Sequence, residues 1–538
     1  MTAECLPFGQ IPHTTRLFGD FLSGSPRVQQ FFPRSPRLAE WLEDEAALLQ
    51  YDSNRRHQVA DILLRQNQAF QTSPRTLQNL DRLRAGAAAV VTGQQVGLFG
   101  GPLFSIYKAL TTIKLADFAT QRGVDCVPVF WLATEDHDLA EVNHGFIPGP
   151  DASLVEVMTP TQAGADAPVA TVTFGDEIQA AVDAMAAALG ESEITTALRE
   201  SYRPGENFGS AFARLFARIT ADWGVILLDA SDPALHRIVE PIYRAAIERA
   251  PEIDDALLAR SRELEAAGYH QQVKVTPSSA LLFTLRDGAR IPVHRRVNGG
   301  SSEFTIADEI VSQPDLLRRI ASAPQEFSPN VLLRPVVQDY LLPTLAYTGG
   351  AAEVAYFAQA AVVYQKLLGR ITPIVPRFSA TLVEPKPSGL MDRYALSLPD
   401  VFHGPEALRE RLAASTLPKE LQSAFDSADA GLKQSLVAVR NALERLDKTL
   451  VDAADNAASK MQHQLESLRT RAARAELRQT EVLGRHAALL SNALYPNKTL
   501  QERELAGIYF VARYGKELLR NLYDSIQPDC LDHQVISL

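Results

Sequence analysis

The sequence predicts an α/β protein with a parallel sheet, joined to an all-helical domain. Two short apolar runs, 87–91 and 127–133, are separated by a glycine-rich turn and a helical stretch at about 104–121. Strand, turn, helix and strand in this order indicate a βαβ unit, and strands this uniformly apolar are typical of a parallel sheet covered on both faces. Beyond residue 384 the apolar residues follow a coiled-coil period instead.

Further segments extend the predicted core and interrupt it. Residues 225–228 and 371–375 read as additional strands, and a helix is expected from about Pro233. Two stretches, at about 146–205 and 270–328, have alternating residues and turn signals, so we expect small antiparallel insertions there. In the first insertion the predicted strand is 169–174. The preceding residues, 1 to about 84, read as helical.

A coiled coil is predicted after the linker at 384–389. Apolar residues from Leu432 to Ala475 recur mostly at steps of four and three, and neither Gly nor Pro occurs between Leu432 and Leu483. The segment forms either one long helix or two antiparallel helices, with its weakest point at 452–456. We therefore divide the chain into an α/β core with N-terminal helices, a helical domain and a C-terminal return to the core, with these bounds: 1–383, 384–493 and 494–538.

Composition excludes several classes of protein. The 538 residues are 46% hydrophobic and 22% charged, the ordinary globular mixture, with a net charge of −11. An acidic chain is poorly suited to nucleic acid. Three cysteines far apart in sequence build no disulfide framework. With no signal-peptide pattern and no apolar run long enough to span a membrane, we expect a cytoplasmic protein without membrane contact.

The segment 91–108 is the first candidate site. It places Gly93, Gly97, Gly100 and Gly101 between a strand and a helix, with Lys108 little more than a turn inside that helix. Free N–H groups at a helix N-terminus favour phosphate or carboxylate. The spacing matches neither the Walker A nor the dinucleotide fingerprint. The alternative is a glycine turn that serves only packing.

The second candidate is the run of ionisable residues after the second apolar strand. Glu135, Asp136, His137 and Asp138 should lie at the carboxyl edge of the sheet, where open α/β folds bind ligands. They can hold Mg²⁺ with nucleotide phosphates, or take a proton from an amine. The alternative is a solvated acidic turn without a function. His137 and His144 could also bind a metal ion, but their spacing matches no standard metal site.

A third segment, 328–356, contains Asn330, Arg334 and Gln338, which would share one face of a helix that Pro335 weakens. Gly349 and Gly350 before Glu353 repeat the pattern of a glycine turn at a helix start. The alternative here is an ordinary polar helix face. A fourth segment, 495–514, reads as a turn and a helix returning to the core.

These four segments, in this order, resemble the cysteine ligase family of bacillithiol biosynthesis, BshC. The resemblance spans nearly the whole chain and rests on four long motifs: TGQQVGLFGGPLFSIYKA at 92–109, PVFWLATEDHDLAEVNH at 128–144, SPNVLLRPVVQDYLLPTLAYTGGAAEVAYFAQ at 328–359 and LYPNKTLQERELAGIYFVARYG at 494–515.

The resemblance implies a Rossmann-like core akin to class I synthetases, with connecting-peptide insertions and a coiled coil that pairs two subunits. It implies a ligase that joins cysteine to the amine of glucosaminyl-malate in the last step of bacillithiol synthesis. Because a free carboxylate does not acylate an amine at neutral pH, we expect ATP, with Mg²⁺, to activate the carboxylate. The chain lacks the His-Ile-Gly-His and Lys-Met-Ser-Lys-Ser motifs of class I synthetases. Whether AMP or ADP is released therefore stays open.

The chemistry of the residues within the matched motifs gives expected roles. The catalytic candidates are Lys108, Asp136, His137 and Asp138, with the two aspartates holding Mg²⁺ or orienting the amine and His137 acting as base or phosphate ligand. Arg334 is the expected partner of the malate carboxylate. The remaining expectations are nucleotide contacts at Thr92, Gly93, Gln94, Gln95, Gly97, Gly100 and Gly101, and substrate contacts at Glu135, Asn143, His144, Asn330, Arg334, Gln338, Tyr347, Gly349, Gly350 and Glu353.

Two other functions compete with the ligase. One is a dimeric coiled-coil scaffold with a vestigial nucleotide pocket. The glycine loop and the acidic run argue against it, because a scaffold does not need them. The other is a relative that acts on tRNA, which the acidic balance and the missing basic stripe disfavour.

Overall fold

The computed structural model describes residues 2–150, 153–298, 301–415, 419–477, 481–528 and 530–538. Its strands, in chain order, are β1 Thr2–Leu6, β2 Ala88–Gln94, β3 Cys126–Leu132, β4 His144–Pro148, β5 Leu154–Met158, β6 Ile226–Asp229, β7 Ser279–Arg286, β8 Ala289–Asn298, β9 Ser301–Ile306, β10 Glu309–Ser312, β11 Phe327–Pro329, β12 Thr344–Gly349, β13 Ile374–Pro376, β14 Ala380–Val383 and β15 His533–Ser537.

The α-helices, in chain order, are α1 Arg16–Leu22, α2 Leu42–Leu48, α3 Ser53–Ala69, α4 Pro74–Ala85, α5 Leu103–Gln121, α6 Leu139–Val142, α7 Ile178–Leu189, α8 Glu193–Ser201, α9 Phe208–Ile219, α10 Pro233–Glu248, α11 Ala250–Ala266, α12 Gln313–Ser322, α13 Arg334–Leu341, α14 Ala351–Leu367, α15 Pro385–Tyr394, α16 Leu398–Val401, α17 Pro405–Ser415, α18 Lys419–Leu446, α19 Val451–Leu477, α20 Glu481–Leu494, α21 Gln501–Glu504 and α22 Gly507–Ser525. Within the described ranges, no helix combines the length and apolarity that crossing a membrane requires.

A five-stranded parallel sheet forms the centre of the molecule, as predicted. Its order is β13-β12-β2-β3-β6, and every pairing within it is parallel. Counted along the chain, the order is 3-2-1-4-5, so the connections reverse direction between β2 and β12. Open α/β sheets bind ligands in the crevice at such a switch point, beyond the carboxyl ends of the strands.

Burial explains why these segments form central strands. Every residue of β3 is buried, and so are all residues of β2 except its last, Gln94. A strand covered on both faces must be apolar throughout, so the period-two alternation of a half-exposed strand is absent. Helices α3, α4, α5 and α9 pack against this sheet and supply the cover.

The two insertions have different outcomes. The second is antiparallel, as expected, with sheet order β10-β9-β8-β7-β11. In the first, β4 and β5 form a hairpin, but the strand predicted over 169–174 is wrong: Val169–Thr171 is a 3₁₀ turn. The N–H groups of Val169 and Ala170 donate to the backbone oxygens of Asp136 and Thr134, at 2.7 and 2.9 Å. The turn thus braces the acidic run.

The predicted coiled coil is an antiparallel hairpin of α18 and α19, one of the two alternatives. Arg440 pairs with Asp455 at 2.9 Å and Arg469 pairs with Asp426 at 2.8 Å, so the two helices run side by side in opposite directions. The break lies at 447–450 rather than 452–456. There the Asp447 carboxylate accepts the Thr449 N–H at 2.9 Å, a local bond that competes with helix continuation.

The C-terminal segment returns to the core. Helix α22 packs against α5, and β15 lies between β1 and β14 in a small three-stranded sheet. The N–H of Leu103 donates to the Leu505 oxygen at 2.8 Å, and the N–H of Gly507 donates to the Gly101 oxygen at 3.1 Å. This segment therefore covers the start of α5.

Candidate active site

A cavity of about 730 Å³ lies at the switch point of the parallel sheet. Gly93, Gln94 and Gln95 line it from the end of β2, and Glu135 and Asp136 line it from the segment after β3. The amide of Gln95 donates to the Asp136 carboxylate at 2.8 Å, which ties the two loops together. The two loops that sequence reasoning placed side by side thus open on one cavity.

Lys108 joins the end of β2 to the start of α14. Its ammonium donates to the Gly93 oxygen at 2.7 Å, to Gln94 Oε1 at 2.9 Å and to the Glu353 carboxylate at 2.9 Å. Burial lowers the pKa of Lys108 to about 8, against the opposing attraction of Glu353. With all three donors used, Lys108 fixes the floor of the cavity.

Glu353 is the centre of a second set of contacts. It accepts the Tyr347 hydroxyl at 2.7 Å and the Gly350 N–H at 2.7 Å. Burial acts to raise the pKa of Glu353, but Lys108 and these donors hold it below its ordinary value. A carboxylate at the first turn of α14 also suits the helix dipole. The predicted glycine turn at this helix start is present.

Arg334 is a buried cation on the cavity wall. Its guanidinium donates to the Tyr356 hydroxyl at 3.0 Å and to Gln338 Oε1 at 3.2 Å, and it lies 5.9 Å from the centre of the Trp131 ring. Burial by itself would lower the pKa of Arg334. The electrostatic effect of Tyr356 and Tyr347 opposes burial, and the net result is a pKa above the ordinary value. Its direct contacts are neutral groups, so its charge is available to an anionic ligand.

Glu135 provides the acidic side of the cavity. Its Oε1 atom is buried without a hydrogen-bond partner and lies 3.4 Å from His236 Nε2. Burial raises the pKa of Glu135 to about 8, and burial lowers the pKa of His236. The pair is therefore a protonated carboxyl beside a neutral imidazole near pH 7.

Arg290 from β8 brings the second insertion to the site. It donates to the Ser328 hydroxyl at 2.9 Å and the Pro329 oxygen at 2.7 Å, and its Nη1 lies 3.3 Å from His137 Nδ1. The Asp136 Oδ1 atom lies 4.0 Å from Arg290 Nη1. His137 itself does not line the cavity. It stands at the rim, where it contacts Arg290 rather than an open reaction centre.

Arg377 separates the main cavity from a smaller one of about 290 Å³, and both are lined by Arg377, Arg503 and Gly350. The guanidinium of Arg377 pairs with Glu502 at 2.5 Å in a buried ion pair. Burial acts to lower the pKa of Arg377, but Glu502 raises it overall. Two cations, Arg377 held by Glu502 and the exposed Arg503, therefore lie where the cavities meet.

The glycine loop does not form the expected phosphate cradle. The N–H groups of Gly97 and Gly101 donate to the oxygens of Gln95 and Leu98, and that of Gly100 donates to the Tyr202 hydroxyl at 3.2 Å. None of these glycines lines the cavity. A Cβ at Gly97 would lie 3.0 Å from the Gly101 Cα, so packing requires glycine there. The predicted free donors at 97–101 are wrong, because the protein uses them itself.

Besides His137, three predicted residues of the acidic segment lie outside the cavity lining. Asp138 caps α6 by accepting the Glu141 N–H at 3.1 Å. Asn143 Oδ1 lies 3.2 Å from His144 Nδ1, and His144 packs against Phe146. These side chains shape the turn that leads into β4.

Three more predicted contacts serve the scaffold. Thr92 donates to the Thr348 oxygen at 2.8 Å and so links β2 to β12. Gln338 is buried and orients Arg334, while a Cβ at Gly349 would lie 2.7 Å from the Glu353 Cβ. Asn330 does line the cavity, but it precedes α13 instead of sharing its face, and its Oδ1 accepts the N–H groups of Leu332 and Leu333 at 3.0 Å.

The expected Mg²⁺ pair does not fit. Asp136 accepts the His137 N–H and the Gln95 amide, each at 2.8 Å, while Asp138 is turned to its cap. Among the residues the structure describes, no three His, Cys, Asp or Glu side chains converge as a metal site. The cavity is also lined by the cations Arg334, Arg377 and Arg503, and guanidinium groups pair well with carboxylate or phosphate.

Sequence reasoning missed Arg290, Arg377, Arg503, His236 and Tyr356. Arg290 and His236 come from segments far from the quoted motifs, so no local pattern marks them. Tyr356 lies inside the third motif and Arg503 inside the fourth. Their position in these motifs was the one sequence feature that could have marked them as site residues.

Comparison with known proteins matches two family models to the chain. The family model for the N-terminal Rossmann-like domain of bacillithiol biosynthesis BshC matches residues 1–378, and the model for its C-terminal coiled-coil domain matches 380–538. A protein of Koribacter versatilis is 48% identical over 100% of both chains, and one of Solibacter usitatus is 37% identical over 100% of both.

A third relative, from Salinibacter ruber, is 33% identical over 97% of this chain and 96% of its own. All three carry the name "Putative cysteine ligase BshC". Family models that together cover nearly the whole chain, and relatives aligned from end to end, agree with the Rossmann-like core and helical hairpin described above. The chain belongs to the BshC family of bacillithiol biosynthesis.

Proposed function

We propose that this protein is an ATP-dependent ligase that joins cysteine to the amine of glucosaminyl-malate. The observation that carries the proposal is the single cavity at the switch point, acidic at Glu135 and Asp136 and basic at Arg334, Arg377 and Arg503. An amine substrate with carboxylate groups needs both kinds of side chain. The names of the relatives support the same reaction class.

We expect the substrates to bind through the charged side chains that line the cavity. Arg334 is placed to pair with a malate carboxylate, since its planar guanidinium offers two parallel donors and its present contacts are neutral hydroxyl and amide oxygens. Arg503, whose side chain is exposed, is placed to neutralise phosphate charge, and Arg377 beside it is held in position by Glu502. Lys108 keeps Glu353 and the β2 loop in position and is a positioning residue in this scheme.

The chemistry forms one amide bond. ATP, when bound, activates the cysteine carboxylate by giving it a phosphate-containing leaving group. The amine nitrogen then attacks the carboxyl carbon, the leaving group departs with the bonding electrons, and the nitrogen loses a proton. The deprotonated fraction of Glu135 is placed to accept that proton, because a pKa of about 8 leaves such a fraction near neutral pH and enlarges it as pH rises. The His236 Nε2 atom lies 3.4 Å from Glu135 Oε1.

We also propose that two copies pair through the α18–α19 hairpin. The hairpin exposes Val437, Met461 and Leu468, each at least half exposed. Apolar side chains on a long two-helix arm are stabilised when a second arm covers them.

The test is the complete reaction with purified protein. ATP, Mg²⁺, cysteine and glucosaminyl-malate are incubated with the enzyme, and mass spectrometry follows the condensed thiol and the spent nucleotide. We expect the cysteinyl amide and one equivalent of AMP or ADP. Thermal stabilisation by nucleotide without any condensed product would favour the scaffold instead.

A further inference from the structure

The two ends of the chain bring two cysteines together. Cys5 lies in β1 and Cys530 in the turn before β15, and their sulfur atoms are 3.7 Å apart although 525 positions separate them in sequence. Strands β1 and β15 are paired, with Cys5 opposite Gln534. The contact is therefore built into the sheet that joins the N-terminal and C-terminal segments.

The two thiols differ in access. Cys5 is exposed, Cys530 is half-buried and Cys126, the third cysteine, is fully buried in β3. A disulfide bond is about 2.05 Å long, so the two sulfurs need to approach by roughly 1.7 Å. Cys530 belongs to a turn closed by its N–H on the Gln527 oxygen at 3.0 Å, outside any strand, which leaves room for that movement.

We propose that Cys5 and Cys530 form a redox site that reacts with low-molecular-weight disulfides. The exposed Cys5 thiolate attacks the small disulfide RSSR, which breaks the S–S bond, forms a mixed disulfide and releases one RSH. The Cys530 thiolate then displaces the second RS⁻, which takes up a proton. Two protein thiols and one RSSR thus give one protein disulfide and two RSH, with electrons balanced.

The position gives the bond a structural consequence. Residues that follow β1, Phe8, Ile11 and His13, form one wall of the smaller cavity opposite Tyr495 and Arg503. β1 is an edge strand held by β15 alone. The disulfide would attach this arm covalently to β15, and disulfides in reducing compartments are typically such transient, redox-responsive bonds. The inference is independent of the proposed reaction.

Burial and the neighbouring Cys530 and Asp532 raise the pKa of Cys5. Because only the thiolate attacks a disulfide, oxidation should be slow at pH 7 and faster as pH rises. The titratable groups that face Cys5 are Cys530 from the turn and Asp532 from the segment before β15.

The test uses the reduced full-length protein with excess oxidised glutathione at pH 8. Free thiols are alkylated afterwards, and the intact mass and disulfide-linked peptides are measured. We expect loss of two hydrogens, a linked Cys5–Cys530 peptide pair, an alkylated Cys126 and a rise in Tm of about 3 °C that dithiothreitol reverses.

Two matched variants make the outcome decisive. Cys530→Ser should stop at a persistent glutathione adduct on Cys5, and Cys126→Ser should still form the linked pair. A wild-type protein that keeps the adduct, links Cys5 between two chains, or leaves both thiols unmodified would overturn the proposal. None of these results depends on whether the protein condenses cysteine with glucosaminyl-malate.

Discussion

At the scale of single residues, the site is organised by charges that the protein has withdrawn from water. Lys108 and Glu353 neutralise each other beside the floor of the cavity, and Arg377 and Glu502 do so where the two cavities meet. Within the described part of the chain, neither Glu135 nor Arg334 has a hydrogen-bonded partner of opposite charge. We expect the paired groups to hold the structure and the unpaired groups to meet the substrate.

Glu135→Gln should lower the rate of amide formation about 100-fold, because the amide cannot accept a proton. Since the pKa of Glu135 is raised to about 8, its deprotonated fraction grows as pH rises through 8, and the wild-type rate should rise with it. The variant should lose that rise. The measurement is the pH profile of product formation, with Glu141→Gln, another carboxylate at the cavity, as control. An unchanged profile in Glu135→Gln would remove this residue from proton transfer.

Arg334→Lys should weaken binding of the malate part of the substrate. A lysine keeps the charge but loses the planar pair of donors, so we expect KM for glucosaminyl-malate to rise roughly 30-fold with a smaller change in kcat. Steady-state kinetics with the substrate and with a glucosamine analogue that lacks malate provide the check. An equal loss with both amines would contradict a carboxylate contact at Arg334.

Lys108→Met should destabilise the protein by about 3–5 kcal/mol, because it leaves the Glu353 carboxylate buried without its cation. Urea unfolding measures this, with Lys114→Met on the same helix as control. Adding Glu353→Gln to Lys108→Met should restore part of the loss. A loss in Lys108→Met no larger than in Lys114→Met would show that the ion pair contributes little.

At the scale of elements, the hairpin presents its own apolar surface. Met461 and Leu468 lie seven residues apart on α19 and are 50% and 56% exposed. Residues seven apart share one face of a helix, so the pair forms the seam along which we expect a second chain to dock.

The double variant Met461→Glu, Leu468→Glu should therefore convert the protein to a monomer without unfolding the α/β core. Sedimentation velocity reports the oligomeric state, and circular dichroism reports the helix content. Ser459→Glu, at an exposed position on the opposite face of α19, should leave the association unchanged. A dimer that persists in the double variant would place the interface elsewhere.

The elements also show what local sequence can and cannot predict. Strands β2 and β3, helix α5 and the hairpin follow from apolar runs and periodicity, because those patterns are local. The segment 169–174 alternates like a strand but buries Val169, Val172 and Phe174 in a loop, since its backbone bonds go to Thr134 and Asp136. The partners of the Val169 and Ala170 N–H groups lie outside the segment, where no pattern in it can reveal them.

The same limit applies to the candidate site, where local features were predictable and long-range contacts were not. The convergence of the two loops follows from parallel strands ending at one sheet edge. Two other features depend on long-range packing and have no local signal. The Gly100 N–H donates to the Tyr202 hydroxyl, and Arg290 reaches the site from the second insertion. The contact of Cys5 with Cys530 is the extreme case, since it joins the two ends of the chain.

At the scale of the whole molecule, the strand order places a crevice between β2 and β12, and later segments complete it. The second insertion supplies Arg290, and the returning C-terminal segment supplies Arg503 while covering the start of α5. The cavity is therefore a product of the full chain, which agrees with relatives that align from end to end.

The most direct test compares product formation by the wild type, Arg334→Met and Asp138→Asn, with ATP, cysteine and glucosaminyl-malate and mass spectrometry of the condensed thiol. Arg334 lines the cavity, whereas Asp138 belongs to the same acidic run as Glu135 but only caps α6. We predict that Arg334→Met loses the product and that Asp138→Asn retains it. Loss of product in Asp138→Asn with normal turnover in Arg334→Met would contradict a reaction centre in this cavity.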